Sequence, residues 1–240
     1  MLITTNAIVL SYKKYKETSL LCTFYTEKEG YLSFIVKGIY GKNKKTSHFY
    51  PLNRVELVYQ QKKNQESLHF LNSISTTYYA VSIYENPIKI TQIFFLTELL
   101  RAVFKKEAST NSYFYKLIEQ LIEIFDKKQD NFSEFHLYII VQLIELLGIS
   151  PNRLNPDLPY FDLINGSYCL TQHNTNAFLS KEEKELFHKI FELNFSQTSQ
   201  NILSPRERKT SLSLLLKYLS LHIDSFADLI SLQVLKQLDV

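Results

Sequence analysis

The sequence is poor in the residues that build disulfide frameworks, metal centres and the common catalytic motifs. Its 240 residues include two cysteines, Cys22 and Cys169, which cannot form a disulfide framework or, without histidine, a tetrahedral zinc site. The six histidines are scattered without H-E-x-x-H spacing, and G-x-G-x-x-G, Walker and G-x-S-x-G motifs are absent. We therefore expect no catalytic residues, no metal and no cofactor. Cys22 lies in an apolar strand pattern and is expected to be buried.

Long hydrophobic runs are also absent. The first residues, Met1-Leu2-Ile3-Thr4, show neither a positively charged segment nor an apolar core, so we expect no signal peptide. No run approaches the length of about 18 apolar residues that a membrane span needs. These observations predict a cytoplasmic protein without a membrane partner.

Positive charge is distributed unevenly along the chain. The net charge is +3, yet residues 1–80 carry eleven Lys/Arg against five Asp/Glu, whereas the remainder carries sixteen against nineteen. A basic amino-terminal part joined to a mildly acidic remainder favours a polyanion as the partner of the first part. Drift in surface composition would give the same imbalance.

The periodicity of apolar residues changes near residue 80. Five short segments rich in β-formers and separated by turn residues cover 7–10, 19–26, 31–36, 55–59 and 68–74. Five short strands in about 75 residues are typical of a small barrel of the OB-fold type. From Pro87 the apolar spacing is helical over 87–106, 112–128 and 132–147, and Gly148 is placed to end the third helix. We predict an α+β protein, with an OB-fold β-barrel over 1–78 and an all-helical domain over 79–240.

A proline-rich segment, 150–179, interrupts the helical domain. Its Asn165-Gly166 pair between two apolar arms predicts a β-hairpin with a two-residue turn. Helices resume at two capping boxes that begin at Ser180 and Ser204, and a last helix is predicted over 231–238.

Three basic segments predict contacts with nucleic acid. Lysine neutralises phosphates, and an exposed tyrosine ring offers a face on which a base can stack. If the five strands close as an OB barrel, loops of this composition flank a groove for a single strand. The predicted contact residues are Lys13, Lys14, Tyr15, Lys16, Lys37, Tyr40, Lys42, Lys44, Lys45, Lys62 and Lys63. The alternative is that these are solvated hairpin tips, where lysine is common.

A second candidate site lies at the start of the helix that follows Ser204. Arg206, Arg208 and Lys209 crowd a helix amino terminus, where free N–H groups and two guanidinium groups could hold an anion or an acidic partner. The alternative is that these side chains extend into solvent or pair with Glu207.

The order of these features resembles the RecO family of bacterial recombination mediators. The amino-terminal strings that carry the resemblance are Ala7-Ile8-Val9-Leu10, Tyr15-Lys16-Glu17-Thr18-Ser19-Leu20-Leu21, Glu29-Gly30-Tyr31-Leu32-Ser33 and Val36-Lys37-Gly38. Further matches are Pro51-Leu52, Leu146-Leu147-Gly148, and the segment 219–238 with His222 and Ser231.

The resemblance implies an amino-terminal OB-fold followed by a helical domain. It also implies binding of single- and double-stranded DNA, annealing of complementary strands, and nucleoid association. With RecR as a partner, such proteins help RecA replace single-strand binding protein, whose acidic carboxy-terminal tail they recognise. In this sequence, Lys37 and the basic residues after it fall where the family presents positive charge to DNA, and so, less closely, does the Lys13–Lys16 segment.

Two features depart from the family pattern. Many members carry a four-cysteine zinc module where this chain has 150–179 with Cys169 alone, so we predict no zinc. A basic residue often follows the serine that corresponds to Ser231, but here Leu232 does, which leaves the role of that basic residue unassigned.

Two other functions are compatible with the sequence. The first is a non-enzymatic protein-interaction scaffold whose barrel binds another protein, in which case binding should depend little on salt. The second, a nucleic-acid hydrolase, requires a divalent metal and a carboxylate cluster that the sequence does not supply.

Overall fold

The computed structural model describes residues 1–39, 46–60, 68–105, 112–172, 177–193 and 202–223, together with residues 229, 231, 232 and 235. Contacts divide the chain into two compact units, Met1–Lys127 and Lys128–Val240. The first contains a closed five-stranded barrel, and the predicted α+β class with an OB-like barrel is confirmed.

The barrel consists of β1 (Leu2–Tyr15), β2 (Ser19–Thr26), β3 (Gly30–Lys37), β4 (Arg54–Gln60) and β5 (His69–Tyr78). The strands close in the order β1-β2-β3-β5-β4, and a 3-10 helix spans Thr46–Phe49. Neighbouring strands are antiparallel, except that β3 and β5 are parallel. All five predicted strands are present. β1 is much longer than the predicted 7–10, because its first half pairs with β4 and its second half with β2.

Alternating strand residues fill the barrel interior. Phe24 and Phe34 are fully buried, with their ring centroids 5.5 Å apart in an edge-to-face arrangement. Cys22 is also fully buried, as predicted, and its burial raises the pKa of the thiol to about 12. The thiol therefore stays protonated and packs as an apolar group.

In the described part of the first unit, three helices follow the barrel: α1 (Val81–Glu85), α2 (Pro87–Phe104) and α3 (Ser112–Lys127). The ring of Tyr25, on the outside of β2, lies 4.4 Å from that of Phe104 and 5.5 Å from that of Phe114. Arg54 of β4 pairs with two glutamates of α3, each at 2.8 Å. These contacts group the helices up to Lys127 with the barrel, whereas the sequence prediction divided the chain after residue 78.

The second unit contains α4 (Phe135–Leu146), β6 (Tyr160–Asp162), β7 (Ser167–Cys169), α5 (Lys181–Ile190) and α6 (Pro205–His222). Both predicted capping boxes are present, at Ser180 and Ser204. Gly148 has φ +70° and follows the last turn of α4, as predicted for a helix-ending glycine. Of the predicted helix over 231–238, Ser231, Leu232 and Leu235 are helical, and the other positions lie outside the described residues.

The hairpin is present, but the two-residue turn predicted for it is wrong. The last strand pair is Asp162 with Ser167, so four residues, 163–166, form the connection. The Asp162 carboxylate accepts hydrogen bonds from the backbone N–H of Ile164 and Asn165, which holds the wider turn together. Among the turn residues only Gly166 has a positive φ, +59°, whereas the predicted turn type requires two.

No helix in the described part of the chain is both long enough and apolar enough to span a membrane.

Candidate nucleic-acid interface

Strand register places Tyr15 and Lys37 in one row on the outside of the barrel. Leu20 and Cys22 project into the core, so Ser19, one position before Leu20, projects outward. Ser19 pairs with Tyr15 on one side and with Lys37 on the other. Directly paired residues share a face of the sheet, and two strand spacings separate their backbones by about 10 Å.

The neighbouring row adds a second lysine and an aromatic ring. Lys13 pairs with Leu21, Leu21 with Ile35, and Ile35 with Phe70. Phe70 is 44% exposed, and the Lys37 ammonium lies 4.6 Å from the centroid of its ring. This contact joins the two rows. We call the surface formed by Lys13, Tyr15, Lys37 and Phe70 the outer basic–aromatic face.

The basic segment 12–16 was predicted as a loop, but it is mostly strand, so that prediction is wrong. Pairing with β2 extends β1 through Tyr15, so that only residues 16–18 form the turn. The two-residue period sends Lys13 and Tyr15 to the outer face, and Lys14, which pairs with Leu20, to the opposite face. Lys16 has φ +57°, and its ammonium lies 5.6 Å from the Tyr15 ring centroid. Lys16 therefore adds charge at the edge of the outer basic–aromatic face, and Lys14 does not.

Six of the predicted contact residues lie outside the described residues: Tyr40, Lys42, Lys44, Lys45, Lys62 and Lys63. Along the chain, their segments follow β3, which ends at Lys37, and precede β5, in which Phe70 is the second residue. Their contribution to the face remains a prediction.

Phe70 was missed by sequence reasoning, and a β-bulge explains why. The register of β4 with β5 shifts between Val58 and Tyr59, so that Leu71 and Ile74, three positions apart, both pack against the core. Simple alternation along β5 therefore gives no consistent inner face, and the exposure of Phe70 could not be deduced from spacing.

The three cations at the start of α6 are not brought to one surface. Arg208 is buried and donates a hydrogen bond to the Leu203 carbonyl at 2.8 Å. Arg206 borders an open groove between α5 and α6 together with three glutamates of α5. The Glu207 carboxylate accepts the backbone N–H of Ser204, and this bond, with the Lys189 ammonium, lowers the pKa of Glu207 to about 2. An ionised side chain of the chain itself therefore occupies the helix terminus.

The cysteines of this chain do not fit the four-cysteine zinc module of the family that the sequence resembles. A four-thiolate site needs four cysteines, whereas the chain has two, and Cys22 belongs to the first compact unit. Within the described residues, no three His, Cys, Asp or Glu side chains are grouped so that they could hold a metal ion. The hairpin is instead held by packing and hydrogen bonds. Phe161 lies 5.2 Å from the Phe187 ring, and the Leu163 carbonyl lies 2.8 Å from Nε2 of His222.

Comparison of the sequence with known proteins shows the family to which this chain belongs. The amino-terminal family model described as "Recombination protein O N terminal" matches residues 1–79. The DNA repair protein RecO of Flavobacterium psychrophilum is 31% identical over 242 residues, and the match covers 99% of both chains. Those of Flavobacterium johnsoniae and Christiangramia forsetii are each 31% identical, over 241 and 252 residues, again with 99% of both chains covered. The resemblance found in the sequence is confirmed, and the chain belongs to the RecO family of DNA repair and recombination proteins.

Proposed function

We propose that this chain is a non-enzymatic recombination mediator that binds single- and double-stranded DNA and anneals complementary strands. With RecR, it helps to load RecA onto DNA coated with single-strand binding protein. The observation that supports the DNA-binding part is the outer basic–aromatic face, where two lysines and two aromatic rings occupy adjacent rows of an OB-like barrel. In OB-folds, this side of the central strands and its flanking loops bind oligonucleotides.

The chemistry of the face suits binding without sequence preference. The ammonium groups of Lys13, Lys16 and Lys37 neutralise phosphates, and the rings of Tyr15 and Phe70 stack on bases of any identity. Both kinds of contact leave the hydrogen-bonding edges of the bases available. A second strand can therefore pair with a bound strand, which is what annealing requires, and no bond is made or broken by the protein.

The protein partners follow from the family. We propose RecR, the acidic carboxy-terminal tail of single-strand binding protein and, indirectly, RecA as partners, and the cytoplasm, in association with the nucleoid, as the location. The basic charge of residues 1–80 makes the barrel the part that binds DNA and leaves the second unit for protein contacts.

A salt series tests the proposal. If about five phosphates are neutralised, the slope of log affinity against log salt for a labelled single-stranded oligonucleotide is about −3.5, or roughly a hundredfold loss between 50 and 200 mM salt. Fluorescence anisotropy with two unrelated sequences measures this slope, and a strand-annealing assay follows. Absence of binding at 50 mM salt would overturn the DNA proposal. Affinity for a protein partner that salt hardly changes would favour the alternative, a protein-interaction scaffold whose barrel binds a protein.

A further inference from the structure

β3 and β5 separate shortly after they meet. Their ladder has two pairs in the described chain, Phe34 with His69 and Ile35 with Phe70. Beyond them the two strands form no further pair in the described chain, and residues of both line an open cavity of about 560 Å³. The cavity is therefore a gap in the barrel wall, next to the outer basic–aromatic face.

The floor and the rim of the cavity differ in chemistry. Its apolar lining includes Ile39 and Phe49, which are buried, and Ile74, which packs against the core. Lys37 and Phe70 line it together with the polar side chains of His48, Asn72 and Ser73. Among the described residues that line it, Lys37 and His48 can carry positive charge, and none is acidic.

We propose that this cavity accepts one unstacked base of a single strand, a role that rests on the proposed DNA-binding function and extends it. The base stacks on the ring of Phe70 and displaces the ammonium of Lys37, which moves onto the phosphate of the same nucleotide. A duplex cannot use the cavity, because its bases are stacked and paired.

A base fits these observations better than an added peptide strand. Strand addition needs a row of backbone donors and acceptors along a sheet edge, whereas this gap opens between two strands that already pair on their other sides with β2 and β4. An exposed aromatic ring beside an ammonium group is instead the pairing that base stacking and phosphate contact require.

The test compares two oligonucleotides of equal charge, dT15 and a 15-mer of abasic sites, with the full-length chain at 50 mM salt. Fluorescence anisotropy gives the ratio of the two affinities for wild type, Phe70→Ala, Ser73→Trp and the control Phe94→Ala. Phe94 is 51% exposed on α2 and is not among the residues that line the cavity. Ser73→Trp fills the cavity from its rim but leaves the Phe70 ring in place.

Wild type and Phe94→Ala should prefer dT15, and both cavity variants should reduce that preference about 5- to 150-fold, the effect of losing one stacked base. If wild type shows no preference, or if Ser73→Trp keeps it, the cavity assignment is wrong while DNA binding stands. If Phe70→Ala alone loses the preference, the base stacks on the open face and not in the cavity. If wild type binds neither oligonucleotide, the proposed function fails, and this inference fails with it.

Discussion

Removing the described cations of the outer basic–aromatic face should flatten the salt dependence of DNA binding by a calculable amount. The variant is Lys13→Gln/Lys16→Gln/Lys37→Gln, in which all three exposed side chains keep similar length but lose their charge. Each lost phosphate contact on a single strand changes the log–log slope by about 0.7, so three change it by about 2.1. A slope of about −3.5 becomes about −1.4, and the loss between 50 and 200 mM salt falls from about 130-fold to about 7-fold.

The control variant must remove equal charge from another surface of the same unit. Lys105→Gln/Lys116→Gln/Lys127→Gln does this, because all three lysines are exposed at the end of α2 or on α3. Anisotropy titrations with a labelled single strand at four salt concentrations give both slopes. The control should keep the wild-type slope. Equal flattening by the two variants would mean that net charge alone attracts the DNA, and an unchanged slope in the first would exclude the face from the site.

Three further predictions concern the framework of the fold. Gly166→Ala should unfold at a lower temperature than Gly148→Ala. Both glycines have a positive φ, but a Cβ at Gly166 would lie 2.7 Å from a tyrosine hydroxyl, whereas a Cβ at Gly148 would enter open space. Equal melting temperatures would contradict this. Arg54→Met should cost the first unit on the order of 1–3 kcal/mol in urea unfolding, because it removes a largely buried cation that pairs with Glu119 and Glu123 and leaves Glu123 with its longer, 3.5 Å pair to Lys127; an unchanged midpoint would refute the role. The pKa of Glu207 is lowered from 4.5 to about 2, so its stabilisation is complete above about pH 4.5 and is lost as the pH falls toward 2. The stability difference between wild type and Glu207→Gln should shrink over that window, and a difference that pH does not change would argue against the capping hydrogen bond.

Much of the fold could be predicted because helix caps and helix-ending glycines depend on residues that are close together in the sequence. Ser180 and Ser204 each bond to an N–H three residues ahead, and Gly148 meets a conformational demand of its own position. The hairpin turn was mispredicted for a related reason. Asp162, just outside the Asn-Gly pair, supplies the acceptors that stabilise a wider connection.

The candidate site was predicted only in part. Lys13, Tyr15 and Lys37 were found from residue type, but the separation of Lys14 from them depends on which residue of β2 each one faces. Phe70 joins the outer basic–aromatic face through its pairing with Ile35, and the bulge between β4 and β5 kept this from being predicted from the spacing of β5. Arg208 does not contribute to the anion site predicted for it, because its guanidinium is buried and donates a hydrogen bond to the Leu203 carbonyl.

The kind of most elements, the ends of several helices and the basic character of the amino-terminal part could all be predicted from the sequence. Apolar period, capping chemistry and charge are properties of neighbouring residues. The tertiary structure alone decided the length of β1, the grouping of α1–α3 with the barrel, and the rows that join Lys13, Tyr15, Lys37 and Phe70. Each of these depends on pairing or packing between residues far apart in the chain, and no local pattern specifies the register in which they meet.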